Sequence, residues 1–192
     1  MSATQVPVVY FARPGPQNTE QTLALARARA EALGLRHVLV ATTTGATGRR
    51  AGEVFQGYHV VAVTHSSGFV RPNEQELLPE HRAAMVAAGV DILTCQHALG
   101  GVNRAVRKKL GTYELDEIIA YTLRILGQGT KVACEMAMMA ADAGRVPTGE
   151  PAVAIAGSGR GADTAVVLVP ANAQEFFDLW IQEYICKPAA RG

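Results

Sequence analysis

Residues 36–65 read RHVLVATTTGATGRRAGEVFQGYHVVAVTH. An apolar, β-branched run ends abruptly at Thr42, Thr43 and Thr44, turns through Gly45 and Gly48, and continues as a basic, helix-compatible segment from about Thr47 to Phe55. A second apolar run, Tyr58–His65, follows. Strand, loop, short helix and strand in that order predict two parallel strands joined by a crossover. The loop itself admits two readings. Its hydroxyls, its glycines and the free N–H groups of the next helix would form an anion cradle, with Arg49 and Arg50 adding positive charge. The same residues would equally make a capped turn beside a solvated arginine pair.

The same alternation extends in both directions. Towards the amino terminus, Pro7–Ala12 reads as a strand, and a helix capped by Asn18 or Thr19 runs to about Leu33, with Gly34 placed to end it. Beyond His65, a proline-broken loop leads to a helix over Glu80–Ala88 and a strand over Val90–His97. The segment ALGGVNRAVRKKLGTY (98–113) shows no clear period. Leu115–Leu126 and Lys131–Ala143 read as helices, Ala152–Gly157 and Thr164–Pro170 as strands, NAQEFFDLW (172–180) as a closing helix, and EYICKP (183–188) as a terminal strand. The turn SGRGAD is too short for a crossover, so its two strands are expected to be antiparallel. The expectation is one α/β domain over residues 1–192 with a mixed, mostly parallel sheet.

Composition narrows the function classes. The chain is 48% hydrophobic but only 6% aromatic, so its core must be aliphatic. With Lys+Arg 18 against Asp+Glu 17, it lacks the basic excess of a dedicated nucleic-acid binder. No apolar run approaches the roughly 18 residues of a membrane span, and the amino terminus lacks the basic region of a signal peptide. Cys95, Cys134 and Cys186 are too widely spaced for a CxxC site. A soluble, cytoplasmic protein without a metal centre is expected.

Three groups could carry chemistry. Thr42, Thr43, Thr44, Gly45 and Thr47 form the first. The second is THSSGF (64–69), whose Ser66 and Ser67 would share the strand carboxyl edge where ligands of open α/β sheets collect. The third is Gly157, Ser158, Gly159 and Gly161, a hairpin richer in glycine than a turn requires, although its spacing and the strand that follows exclude a dinucleotide fingerprint. Thr94, Gln96 and His97 would face the same crevice. His37 and His59 begin strands and belong on the opposite edge. His65 and His97 are placed to act as acid or base, and Glu135, inside the apolar VACEMAMMAA, must be paired or protonated. The basic run 104–109 is most simply a solvated face, with a phosphate clamp or a subunit contact as the lesser reading.

The stretch from Arg36 to Phe69 resembles the carboxy-terminal domain of pyruvate kinase, in which a strand enters a Thr/Ser-Gly loop that can hold a phosphate of an allosteric sugar bisphosphate. The segments HALGGVNRA, KVACEMAMMAADAG and GSGRGADTAVVLVPANAQEFFDLWIQEYICKP are similar to the stand-alone pyruvate kinase C-terminal-domain-like family. The resemblance implies a three-layer α/β/α sandwich, to which the short SGRGAD turn adds an expected antiparallel edge pair near the carboxy terminus. It also implies phosphate binding at the threonine loop, with flavin mononucleotide (FMN) as a cofactor. With no catalytic barrel, the chain is expected to share ancestry with pyruvate kinase and not its reaction. The leading expectation is a protein binding a phosphorylated small molecule. The alternatives are an enzyme in the same crevice, an oxidoreductase using flavin or a phosphoester hydrolase acting through His65, His97 or Glu135, and a regulatory or structural subunit pairing through 104–109; a homo-oligomer is a further expectation.

Overall fold

Alternation along the central strands assigns each residue to one of two cores. In the computed structural model, which describes residues 3–191, Val38 and Val40 of β2 (His37–Ala41) face one side of the sheet and Leu39 the other. β3 (His59–Val63) and β5 (Ala152–Ala156) divide in the same way, so both sheet faces are buried. Against the first face pack α1 (Thr19–Ala32), α2 (Ala46–Val54) and α3 (Pro79–Ala87). Against the second lies α6 (Gln128–Asp142), nearly every residue of which is buried. Helices α4 (Val102–Leu110) and α5 (Leu115–Arg124) flank α6, with Ala120 and Leu99 packed on Met138. This is the three-layer α/β/α arrangement.

The sheet has seven strands in the order β1-β7-β6-β5-β2-β3-β4. β1 is Val9–Phe11, β4 Asp91–Leu93, β6 Thr164–Val169 and β7 Trp180–Pro188. β2 pairs in parallel with both β3 and β5, β3 pairs in parallel with β4, and β1 with β7. β6 runs antiparallel to both β5 and β7. The expected antiparallel pair near the carboxy terminus is therefore present. It lies inside the sheet and not at its edge, because β7 and β1 add on beyond β6.

Three local expectations are revised. The closing helix is a kinked 3-10 segment, Ala173–Asp178, and Trp180 already pairs with Val169 in β7. Phe176 and Leu179 pack against the core while Phe177 and Trp180 are exposed, and strand pairing prevails from Trp180 onward. The basic segment without visible period is helical as α4, ended by Gly111 at φ 72°. β4 is shorter than expected because it is an edge strand with only β3 to pair with. His37 and His59 do sit at the amino edge, with their Nδ1 atoms 3.1 Å apart.

The connections create one opening at the carboxyl edge. The chain leaves β3 towards α3 on the first face and leaves β4 towards α4, α5 and α6 on the second. Neighbouring loops that diverge to opposite faces leave a crevice between them. No helix among the described residues is long and apolar enough to cross a membrane.

Candidate functional site at the strand carboxyl edge

The threonine loop and the serine loop lie side by side. The Thr42 backbone N–H donates to the Val63 carbonyl at 3.0 Å, and the Thr64 N–H donates to the Leu93 carbonyl at 2.9 Å. The tips of β2, β3 and β4 are thereby tied in order along the edge. Thr42 is buried, and its Oγ1 accepts from the Gly48 N–H at 3.3 Å, satisfying one first-turn donor of α2. Thr47 is buried, Thr43 half-buried, and Thr44 and Ala46 exposed. Ser66 is half-buried and Ser67 exposed.

The loop glycines are explained by packing. Gly45 has φ 97°, and a Cβ there would stand 2.5 Å from Cβ of His81 and 2.6 Å from Cδ1 of Leu77. Its lack of a side chain thus lets α3 and the segment before it close over the loop. Arg49 and Arg50 point away: Arg49 pairs with Glu53, and Arg50 bridges Glu20 at 2.8 Å and Glu53 at 2.9 Å. Of the loop's groups, Thr43, Thr44 and Ala46 at the start of α2 remain open to a ligand.

The glycine hairpin turns towards the start of α1. The Ala162 N–H donates to Thr19 Oγ1 at 3.0 Å, and Gly161 (φ 70°) packs against Pro16. Asp163, fully buried, anchors it by accepting from the backbone N–H of Gly15 (3.0 Å) and Ser158 (3.1 Å) and from Thr164 Oγ1 (2.8 Å). Three hydrogen bonds replace the water that the carboxylate lost. The hairpin that carries Gly157, Ser158, Gly159 and Gly161 is thus tied through Asp163 and Ala162 to Gly15 and Thr19 at the start of α1.

His65, His97 and Glu135, by contrast, converge in the crevice between the loops leaving β3 and β4. The two imidazoles have centroids 5.5 Å apart, with the Phe69 ring stacked 4.0 Å from His65 and 4.8 Å from His97. His65 Nδ1 lies 2.7 Å from Glu76 Oε2. A carboxylate only accepts, so Nδ1 carries the proton there and Nε2 is the basic nitrogen. Behind His97, Nδ1 faces Glu135 Oε2 at 3.6 Å, and Nε2 is buried without a hydrogen-bond partner among the described residues. Thr64 and Thr94 join their hydroxyls at 2.6 Å beneath the histidines.

Glu135 is engaged on every side. Lys131 donates to its Oε2 and the Leu99 N–H donates to its Oε1 at 3.0 Å. Burial pushes the Glu135 carboxyl up, but the neighbouring His97 imidazole and the charge and hydrogen bond of Lys131 outweigh it and hold the pKa at about 2. Burial pulls the Lys131 ammonium below its ordinary value, opposed by Glu135. Lys131–Glu135 is a helical i,i+4 pair inside an apolar stretch, a signal that sequence reading could have used. Phe69, Glu76 and Arg104, whose guanidinium lies 4.7 Å over the Phe69 ring, carried no such spacing.

A family model described as "Pyruvate kinase, alpha/beta domain" matches residues 20–168, more than half of the chain. Among solved structures, a pyruvate kinase of Cryptosporidium parvum is similar at 13% identity and a TM-score of 0.38, over 78% of this chain and 23% of that one. Cryptosporidium parvum pyruvate kinase in complex with ADP is similar at 14% identity and a TM-score of 0.37, over 79% of this chain and 23% of that one. The chain thus spans under a quarter of the length of these pyruvate kinases. By the span of the family match, it belongs to the pyruvate kinase alpha/beta-domain family.

Proposed function

We propose that the protein binds a phosphorylated small molecule at the carboxyl edge of its sheet. The phosphate would rest on Thr43, Thr44 and the first turn of α2, with Ser66 and Ser67 alongside. The observation that carries this reading is the backbone tie from Thr42 to Val63, which sets two hydroxyl-bearing loops next to an exposed start of a nine-residue helix. First-turn N–H groups have no intrahelical acceptor, and their partial positive charge favours an anion.

FMN is the ligand that the family resemblance suggests. Phosphate suits the hydroxyls of Thr43 and Thr44 and the first turn of α2. When bound, the flavin would supply redox chemistry, while this chain's residues would hold its phosphate and orient its ring. Thermal unfolding followed with added FMN, riboflavin and inorganic phosphate tests the reading. Stabilisation by FMN well beyond that by riboflavin supports it, and a melting temperature indifferent to all three contradicts it.

A second reading, an enzyme, is favoured by one observation: two histidines 5.5 Å apart, each with a glutamate facing its Nδ1. His65 Nε2 would be the general base, and Glu135, already committed to Lys131 and Leu99, would position His97. His65→Asn should abolish any flavin-dependent or phosphoester-cleaving activity found for the wild type. Full activity in that variant would remove His65 from the chemistry.

A further inference from the structure

Helices α4 and α5 and the start of α6 enclose a cavity of about 110 Å³ to which the threonine loop contributes no residue. Arg104, Arg107, Glu117, Arg124 and Lys131 supply its charged lining. Arg107 and Glu117 satisfy each other at 2.9 Å, and Lys131 is held by Glu135. Arg104 and Arg124 have no carboxylate partner among the described residues: Arg104 lies over Phe69, and Arg124 donates from Nε to the neutral Gln128 Oε1 at 2.8 Å. Two uncompensated guanidiniums therefore face one small space, and both also repel the Lys131 ammonium.

Glu117 adds an independent mark. It is 6% exposed, and its Oε2 is buried with no hydrogen-bond partner among the described residues. An unpaired buried acceptor is costly, and a carboxylate oxygen can be satisfied only by a donor. Excess positive charge together with a waiting acceptor selects an anion that still carries a proton.

We propose that this cavity binds inorganic phosphate in a protonated form. Arg104 and Arg124 take its bare oxygens, and Glu117 Oε2 accepts its P–O–H. Phosphate keeps an O–H at neutral pH, whereas sulfate has none and a phosphate monoester is largely doubly ionised. The cavity is thus built for free phosphate, which is the product or co-substrate of phosphoester hydrolysis or phosphorolysis. It shares no residue with the threonine loop, so either site can fail without the other.

Titration of the isotope-labelled protein with inorganic phosphate and with sulfate, followed by amide chemical shifts, tests this assignment. Saturable shifts at residues 104–107 and 117–124 are expected, with sulfate about tenfold weaker. Arg104→Gln and Arg124→Gln should each weaken phosphate binding by about tenfold or more, and Glu117→Gln, whose amide donates, should admit sulfate. Thr43→Ala should leave these shifts in place. Shifts absent from α4 and α5, or equal responses to the two anions, would overturn the proposal. So would wild-type affinity in both arginine variants. The wild-type titration decides by itself if a variant does not fold.

Discussion

Glu135 stands one helical turn from Lys131, and both side chains are almost fully buried. Removing one charge of such a pair leaves the other without compensation. Glu135→Gln is therefore expected to lower the unfolding free energy by about 3 kcal/mol, read by urea denaturation at neutral pH. The pH dependence follows from the depressed folded-state pKa. The carboxylate's contribution is complete above its unfolded value of 4.5 and is lost as pH falls towards about 2. Stability should drop more steeply across that window in the wild type than in Glu135→Gln, and parallel curves would contradict the assignment. Asp163 makes a companion case. Asn there can keep its oxygen on the two N–H groups, but it turns an amide donor towards the Thr164 hydroxyl and loses the charge that strengthens all three bonds, so Asp163→Asn should cost about 1 kcal/mol by the same measurement.

The short helix α2 shows what glycine does at the element scale. Gly45, Gly48 and Gly52 face Leu77 and His81, Met85, and Val90 respectively, and so let α3 and the start of β4 approach closely. Gly45→Ala must place a Cβ against His81 and Leu77 at a positive φ. It should destabilise by about 2 kcal/mol, visible as a lowered thermal midpoint. Strand and helix periods made α2, β2, β3 and the flanking elements legible in the sequence. The purpose of the glycines was not, because close helix packing and close approach to a ligand require the same residue. The 172–180 segment misled for a related reason: its apolar residues suggested a buried helix face, yet Phe177 and Trp180 are exposed and β6 claims the backbone.

At the scale of the molecule, the topology gathers the chemistry. His65 and His97 lie in the loops that follow neighbouring strands, on the one edge where the sequence pattern puts them. Phe69, Glu76 and Arg104 meet them only because the loops leaving β3 and β4 diverge to opposite faces, a consequence of strand order that no local pattern encodes. The basic segment 104–109 likewise divides once it is helical. Arg104 and Arg107 turn inward to Phe69 and Glu117, while Lys108 and Lys109 stay exposed. Beside His65 and His97 on that edge, after β2, lies the threonine loop. Fluorescence titration of FMN against riboflavin, in the wild type and in a Thr43→Ala, Thr44→Ala variant, tests phosphate binding there most directly. The account predicts saturable FMN binding, much weaker riboflavin binding, and a loss of about tenfold or more in the variant. Equal affinity for FMN and riboflavin, no FMN binding, or an unaffected variant would contradict it.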